Sequence, residues 1–294
     1  MLKITIWRQR LDSQIISRSI NIFRHNSDFC VFDLETTGKN PIPSSNPNAP
    51  TAAKVLQLAA RRYRYDHQAR TYQLLTQLNF LLNDPTITEI DPFLTEKVHH
   101  ISLEHLRSPE LAASFGAELV DPLTAWQRFS NVLKGAVALG HNIDAFDIPF
   151  IQYDAARWQI EPPFLMADGR PLTRGYAKGT EIFSIDTLPI SRLLWHFDNR
   201  GADKAGYKLR ALADFLNVPT NPSLDHNALG DINTNWLVFL AMLPHLYSYR
   251  QRFMSAEGPD QYRGLLPPLR VKIPTPAEYA KMKEELLASR EPGA

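Results

Sequence analysis

The sequence predicts an α/β fold, a mixed sheet with helices on its faces, and three observations lead to it. First, "KVLQLAARRYRY" and "TYQLLTQLNFLL" are two apolar, strand-like runs joined by the polar "DHQAR", the pattern of a β-hairpin. Second, "DFCVFDLETTG" precedes them with the β-branched and aromatic character of another strand. Third, short apolar strands downstream alternate with segments whose apolar residues fall at helical spacing, an alternation that builds a sheet covered by helices.

Taken in order, residues 1–26 form an N-terminal extension with five Lys or Arg and a single acid, Asp12. Its apolar positions 4, 7, 11, 15 and 16 lie near helical spacing. Two readings follow: an amphipathic targeting segment of mitochondrial type, or an extension docked on the domain, which is favoured. The first strand ends at "TTG", and "KNPIPSSNPNAPTAA" is then a Pro-rich loop. After the hairpin, residues 94 to 134 are helical in pieces; "PLTAWQRFSNVLKG" has helical spacing and a terminal Gly. "AVALG" is a short strand, "HNIDAFDIPFIQYDAARW" turns helical, and "EPPFLMADGRPLTRGYAKGT" is a long loop with Arg170, Arg174 and Lys178. "EIFSIDTLPISRLLWHF" begins as a strand and becomes a helix near Asp186. A short helix, "YKLRALADFLNV", and a longer one, "DINTNWLVFLAMLPHLY", complete a domain over 27–248. The tail, 249–294, is Pro-rich and ends in a helix that Thr275, Pro276 and Glu278 would cap.

Composition bounds the function. The chain has 294 residues, 44% of them hydrophobic and 21% charged, enough to bury a core. No apolar run is long enough to span a bilayer, so the expectation is a soluble protein without a membrane partner. The 32 basic and 31 acidic residues leave a net charge of +1. That excludes a broad electrostatic wrap around a duplex and leaves a local basic groove. The lone cysteine, Cys30, forms no internal disulfide, favours a reducing compartment and reads as a buried filler. A cytoplasmic location is the expectation, with the mitochondrial address as the alternative.

Asp33 and Glu35 stand two apart in the first strand, so both point the same way. Two buried like charges repel and lose hydration unless a cation sits between them. A lone D-x-E is most often an exposed strand end, but later stretches answer this one. "GHNIDAFDIPF" puts Asp147 at a helix start beyond a strand; "DHNALGDINTNW" puts His226 in a loop and Asp231 near the first turn of the long helix. In an open sheet, strand ends and helix starts gather at one crevice. Four carboxylates there call for cations, and oxygen-only ligation suits Mg²⁺ or Mn²⁺. Two such ions make a clamp for phosphodiester cleavage, and histidine suits the base that such a reaction needs near neutral pH.

"VFDLETTG", "HNIDAFD" and "HNALGD" resemble, in order, the three motifs of the DEDDh (DnaQ-like) 3′–5′ exonucleases, which include proofreading subunits and three-prime repair exonucleases. The resemblance covers about 200 residues, taking in "VLQLAA", "KVHHISLEHL" and "SIDTL…YKLRALADFL". It implies a ribonuclease-H-like fold with a mixed five-stranded sheet. It also implies a metal-dependent exonuclease that releases nucleoside 5′-monophosphates from a 3′ end, with two divalent ions, Mg²⁺ or Mn²⁺, as cofactors. By position, Asp33, Glu35, Asp147 and Asp231 become metal ligands and His226 the general base. Asp33 would bridge both ions, Glu35 and Asp231 would complete one, and Asp147 would hold the other through water. Thr36 and Thr37 become substrate contacts, and Asn142 braces the site.

Three residues separate Asn142 from Phe146, as in the repair exonucleases, which makes Asp147 the ligand and Asp144 a bystander. Asp225 reads as solvated, and His99 and His100 as structural or surface residues. The loop from Lys39 to Ala53 and the 165–181 loop are departures that would flank the cleft, the latter with three cations for a phosphate backbone. The expected partner is a nucleic acid 3′ end, DNA favoured and RNA the alternative. Two further readings are a non-catalytic binding module on a nuclease fold and a proofreading subunit whose tail holds a protein partner.

Overall fold

A computed structural model describes residues 23, 26, 28–40, 52–165, 182–195, 207–220 and 227–256, the last eight by backbone alone. His226, Asp225, Arg170, Arg174, Lys178 and the tail helix at Thr275 lie outside the described residues, as do residues 1–22.

The three leading strands form as expected: β1 (Asp28–Thr36), β2 (Val55–Asp66) and β3 (Thr71–Leu82). β1 and β2 pair antiparallel, as do β2 and β3. Residues 67–70 close the hairpin, with the Asp66 carboxylate accepting from the N–H groups of Gln68 and Ala69. Three helices follow in pieces: α1 (Pro92–Lys97), α2 (Pro109–Ser114) and α3 (Pro122–Leu133). Each starts on the same device. Asp91, Ser108 and Asp121 are N-caps whose side-chain oxygens accept from Phe93, Leu111 and Thr124, and a proline takes the first helical position.

Between α2 and α3 lies a strand that periodicity did not reveal, β4 (Glu118–Val120), parallel to the end of β3. At three residues it is too short to show a period of two, and only its pairing defines it. β5 (Val137–Gly140), α4 (Asp147–Arg157), β6 (Ser184–Asp186), α5 (Thr187–Trp195), α6 (Leu209–Phe215) and α7 (Ala228–Ala256) complete the chain. The sheet is therefore six-stranded, in the order β4-β3-β2-β1-β5-β6, with β5 parallel to β1 and β6 parallel to β5. It is the expected mixed sheet with one short strand added at its edge.

Alternation along β1 decides which residue serves which face. Phe29 and Val31 enter the core under α7, with Trp236, Phe239 and Leu243. Cys30, Phe32 and Leu34 enter the opposite core, under α3 and α4, with Trp126, Phe129 and Phe150. Trp236 stacks on Tyr63 of β2 at 4.2 Å between ring centroids, which seats α7 on the sheet. Phe23, from the N-terminal extension, is buried in the same core against Phe29 and Phe239. Cys30 is fully buried, as a filler should be. Among the described residues, no helix is long and apolar enough to cross a membrane.

Candidate active site

Three facts of the sheet make the site. Asp33 and Glu35 continue the odd-numbered series of Phe29 and Val31, so they share the face that α7 covers. α7 carries Asp231 in its first turn, over the end of β1. Moreover, the parallel pairing of β1 with β5 ends at Val31↔Leu139, so the two strands part just before the acids and a crevice opens. One oxygen each from Asp33, Glu35 and Asp231 lies within 4.8 Å of the others.

Asp147 arrives from the other face. It opens α4, whose Ile148, Phe150 and Ile151 pack in the opposite core, and its carboxylate Oδ1 accepts from the main-chain N–H of Leu34 at 3.0 Å. Asp147 is thus held between the two acids of β1, beside the close trio and only 2% exposed.

Electrostatics here is one-sided. Burial, first of all, pushes the Asp33 carboxyl well above the usual carboxylate range, and the charges of Asp147, Asp231 and Glu35 add to it. Glu35 is raised likewise by burial and by Asp231 and Asp147. Asp147 is also raised by burial, with its own and Leu34's N–H groups pulling the other way. Oxygen donors so disposed, with no sulfur or imidazole in the trio, match the donor set of a hard divalent cation. Such an ion would relieve the repulsion that holds these carboxyls up.

The loop leading to Asp147 is built for close approach. A Cβ on Gly140 would collide with the Ile143 side chain, so only glycine lets the chain turn there. Asn142 then adopts the left-handed region, φ 66°. Its N–H and that of Asp144 donate to the two carboxylate oxygens of Asp186, at 2.8 and 3.2 Å, and Leu188 N–H donates to the first at 2.9 Å. Burial, with the nearby charge of Asp144, lifts the Asp186 carboxyl to about 6. Asp144 itself accepts from Ser184 Oγ at 2.6 Å.

The remaining residues named from sequence have structural partners. Thr36 Oγ donates to Gly38 O at 2.6 Å, and Thr37 Oγ accepts from Lys54 N–H at 2.9 Å, so both hydroxyls brace the turn after β1. His99 is buried and its Nδ1 accepts from Ile101 N–H, a structural role; His100 is exposed.

Sequence reasoning missed two residues that hold the site together. Asp186 is one, noted only as a strand-to-helix boundary. The other is Gln57, fully buried opposite Glu35 in the β1–β2 register. Its Nε2 donates to Asn79 Oδ1 at 2.8 Å and Asn227 Oδ1 at 3.4 Å, and its Oε1 accepts from Ala228 N–H at 3.2 Å. Gln57 therefore ties β2 to the residues that open α7, three positions before Asp231. A lone amide inside "VLQLAA" was the available signal, since a buried polar residue in a strand needs partners.

The exonuclease family model RNase_T matches residues 30–239, a segment that contains Asp33, Glu35, Asp147, His226 and Asp231. No curated protein matches the chain in sequence. Among solved structures, one of exonuclease I is similar with a TM-score of 0.52 at 15% identity, over 76% of this chain and 43% of that one. The zinc-bound form of an E. coli exonuclease I–ssDNA complex gives 0.52 at 16%, over 76% and 42%. E. coli exonuclease I with a dA16 oligonucleotide gives 0.51 at 15%, over 82% and 46%. At such identities the likeness is one of fold, and this chain spans less than half the length of those chains. With the family model running over most of its length, and its fold that of exonuclease structures, the chain belongs to the RNase_T exonuclease family.

Proposed function

We propose that the protein is a 3′–5′ exonuclease that hydrolyses the terminal phosphodiester of a DNA strand and releases nucleoside 5′-monophosphates. The observation that carries this reading is the meeting of Asp33, Glu35 and Asp231 at the mouth of the β1–β5 crevice, inside the segment that matches the exonuclease model. E. coli exonuclease I, whose fold this chain shares, has been seen with single-stranded DNA oligonucleotides, which favours DNA over RNA.

In this reading Asp33, Glu35, Asp147 and Asp231 hold two divalent ions, Mg²⁺ or Mn²⁺. When bound, such ions supply the positive charge that activates a water and stabilises the leaving oxygen. Asp33, Glu35 and Asp231 would supply the close oxygen donors for such ions, with the Asp147 carboxylate beside them. Leu34 N–H orients the Asp147 carboxylate for this task. His226 takes the proton of the attacking water on a ring nitrogen, as a group with a near-neutral pKa can. The water oxygen bonds to phosphorus, the P–O3′ bond breaks with its electron pair going to O3′, and that oxygen is protonated. Asn142 and the threonines Thr36 and Thr37 line the approach of the terminal nucleotide.

The test is degradation of single-stranded DNA and RNA of matched sequence, labelled at the 3′ or the 5′ end, with Mg²⁺, Mn²⁺ or EDTA. Mononucleotide release from the 3′ end, dependent on metal and lost in Asp33→Ala, is the expected result. An RNA preference would change the substrate but keep the chemistry. No cleavage in any metal would leave a nucleic-acid-binding module on a nuclease fold.

A further inference from the structure

A cleft of about 470 Å³ opens beside Asp231, between α5, α6 and the start of α7. Asp231 belongs both to this lining and to the acidic trio; Asn142, Arg192, Tyr207, Lys208 and Arg210 are among the other lining residues. Arg192 lies 6.0 Å over the Tyr207 ring, which holds its guanidinium at the cleft, and Arg210 pairs with Asp214 at 3.3 Å. The charges that act on Asp33 and Glu35 are those of other carboxylates. Arg192, Lys208 and Arg210 thus gather in one cleft beside the acids, in a chain whose net charge is only +1.

The chemistry of a 3′ end says what such a cleft can hold. The terminal nucleotide carries a single phosphate, the scissile one, and ends in a hydroxyl. Every further phosphate lies on the 5′ side. We propose that this cleft binds the phosphodiester backbone immediately 5′ to the scissile bond, with Arg192 and Lys208 as its phosphate contacts. Leu188 and Leu209 in the same lining give an apolar surface for the sugar or base between those phosphates. The proposal rests on the exonuclease reading above, and it assigns the upstream strand a direction, across α5 and α6 and away from Thr36 and Thr37.

The experiment uses the full chain, wild type and Arg192→Ala/Lys208→Ala, on two substrates. One is a single-stranded DNA oligonucleotide; the other is the p-nitrophenyl ester of thymidine 5′-monophosphate, which has a leaving group but no upstream phosphate. On the oligonucleotide, KM rises roughly tenfold at nearly constant kcat, and the salt dependence of log(kcat/KM) flattens by ~0.7 for each phosphate the variant no longer holds. On the ester, kcat/KM stays within about twofold, because positioning of backbone phosphates is all that was removed. Equal losses on both substrates overturn the proposal and put these residues at the terminal nucleotide or the metal cluster. No change on either overturns it as well. Fluorescence anisotropy of a labelled oligonucleotide, with Ca²⁺ in place of Mg²⁺, separates the two readings. A wild type that hydrolyses neither substrate, yet binds the oligonucleotide through Arg192 and Lys208, supports the cleft while removing the nuclease.

Discussion

Asp147 and Leu34, 113 residues apart, are joined by a 3.0 Å hydrogen bond from the Leu34 N–H to the Asp147 carboxylate. α4 and the Leu34 side chain share one core, while Asp33 and Glu35 on either side of Leu34 turn toward α7. A single backbone donor thus sets Asp147 between two acids that repel it. Replacing Asp147 by Asn keeps an acceptor for Leu34 and removes the charge; replacing it by Ala removes both. Activity should fall at least ~100-fold in both variants if the charge is what matters, the loss expected for a catalytic electrostatic group. Thermal unfolding should separate them, with the Ala variant losing ~1–3 kcal/mol through the stranded N–H and the Asn variant losing less.

The repulsion among Asp33, Glu35 and Asp231 makes a second prediction. In EDTA, Glu35→Gln should unfold at a higher temperature than wild type, since it removes a buried charge that burial and its neighbours disfavour. Added Mn²⁺ should reverse the order. A ligand at 100 times its Kd stabilises the native state by ~2.7 kcal/mol, a gain the variant should largely forgo. Differential scanning calorimetry with and without Mn²⁺ reads both effects, and a wild type indifferent to the ion would remove the metal site.

Gln57 should be costly to replace. Gln57→Leu keeps the volume but takes away the buried partner of Asn79 Oδ1 and of the Ala228 N–H, leaving Asn227 Oδ1 only its bond from Leu229 N–H. At ~1–3 kcal/mol for each unmet group, with some relaxation, urea denaturation should show a loss of ~2–4 kcal/mol. Because α7 would lose its anchor beside Asp231, Mn²⁺ affinity by titration calorimetry should fall as well. Affinity unchanged at that loss of stability would make Gln57 structural only.

Asp186 carries the same logic for the other motif. Its two oxygens take three N–H groups, from Asn142, Asp144 and Leu188, and hold the loop that delivers Asp147. Asp186→Ala should lower kcat more than it raises KM, since the substrate cleft persists while the Asp147 carboxylate loses its fixed position. A change in KM alone would place Asp186 with substrate instead.

His141 predicts a pH dependence. Burial, first of all, and the charge of Arg192 depress its imidazole to about 4, while the hydrogen bond it makes with Tyr207 pulls the other way. A base with a lowered pKa in the folded state binds its proton more readily when unfolded. Its contribution is therefore complete above about pH 6.5 and lost as pH falls from there to about 4. The shift corresponds to a loss of ~3 kcal/mol at most. Urea midpoints of wild type and His141→Gln between pH 7.5 and 4.5 should converge toward acid; parallel curves would contradict the depressed value.

Much of this was legible in the sequence, and for a reason. The apolar strand-like runs of β2 and β3 with the polar turn between them, the D-x-E of β1 and the Gly-His-Asn turn are local features, written in neighbouring residues. The order of the three motifs then pointed to a family that the match over residues 30–239 bears out. The sixth strand left no such trace, because three residues carry no period and β4 exists only through its pairing with β3. Gln57 showed only as a lone amide and Asp186 only as a strand-to-helix boundary, since their meaning lies in partners up to 171 positions away. The cations expected on the 165–181 loop lie outside the described residues, and the ones the fold brings to Asp231 are Arg192, Lys208 and Arg210.

By itself, then, the sequence determined which residues carry charge and which elements they sit on, since both follow from side-chain chemistry and local periodicity. The tertiary structure alone decided how they meet. The early parting of β1 from β5 opens the crevice, the packing of Trp236 on Tyr63 brings Asp231 over it, and the Leu34 N–H draws in Asp147 from the opposite face. Those are long-range contacts, made by burial and hydrogen bonding between segments far apart in the chain, and no local pattern encodes them.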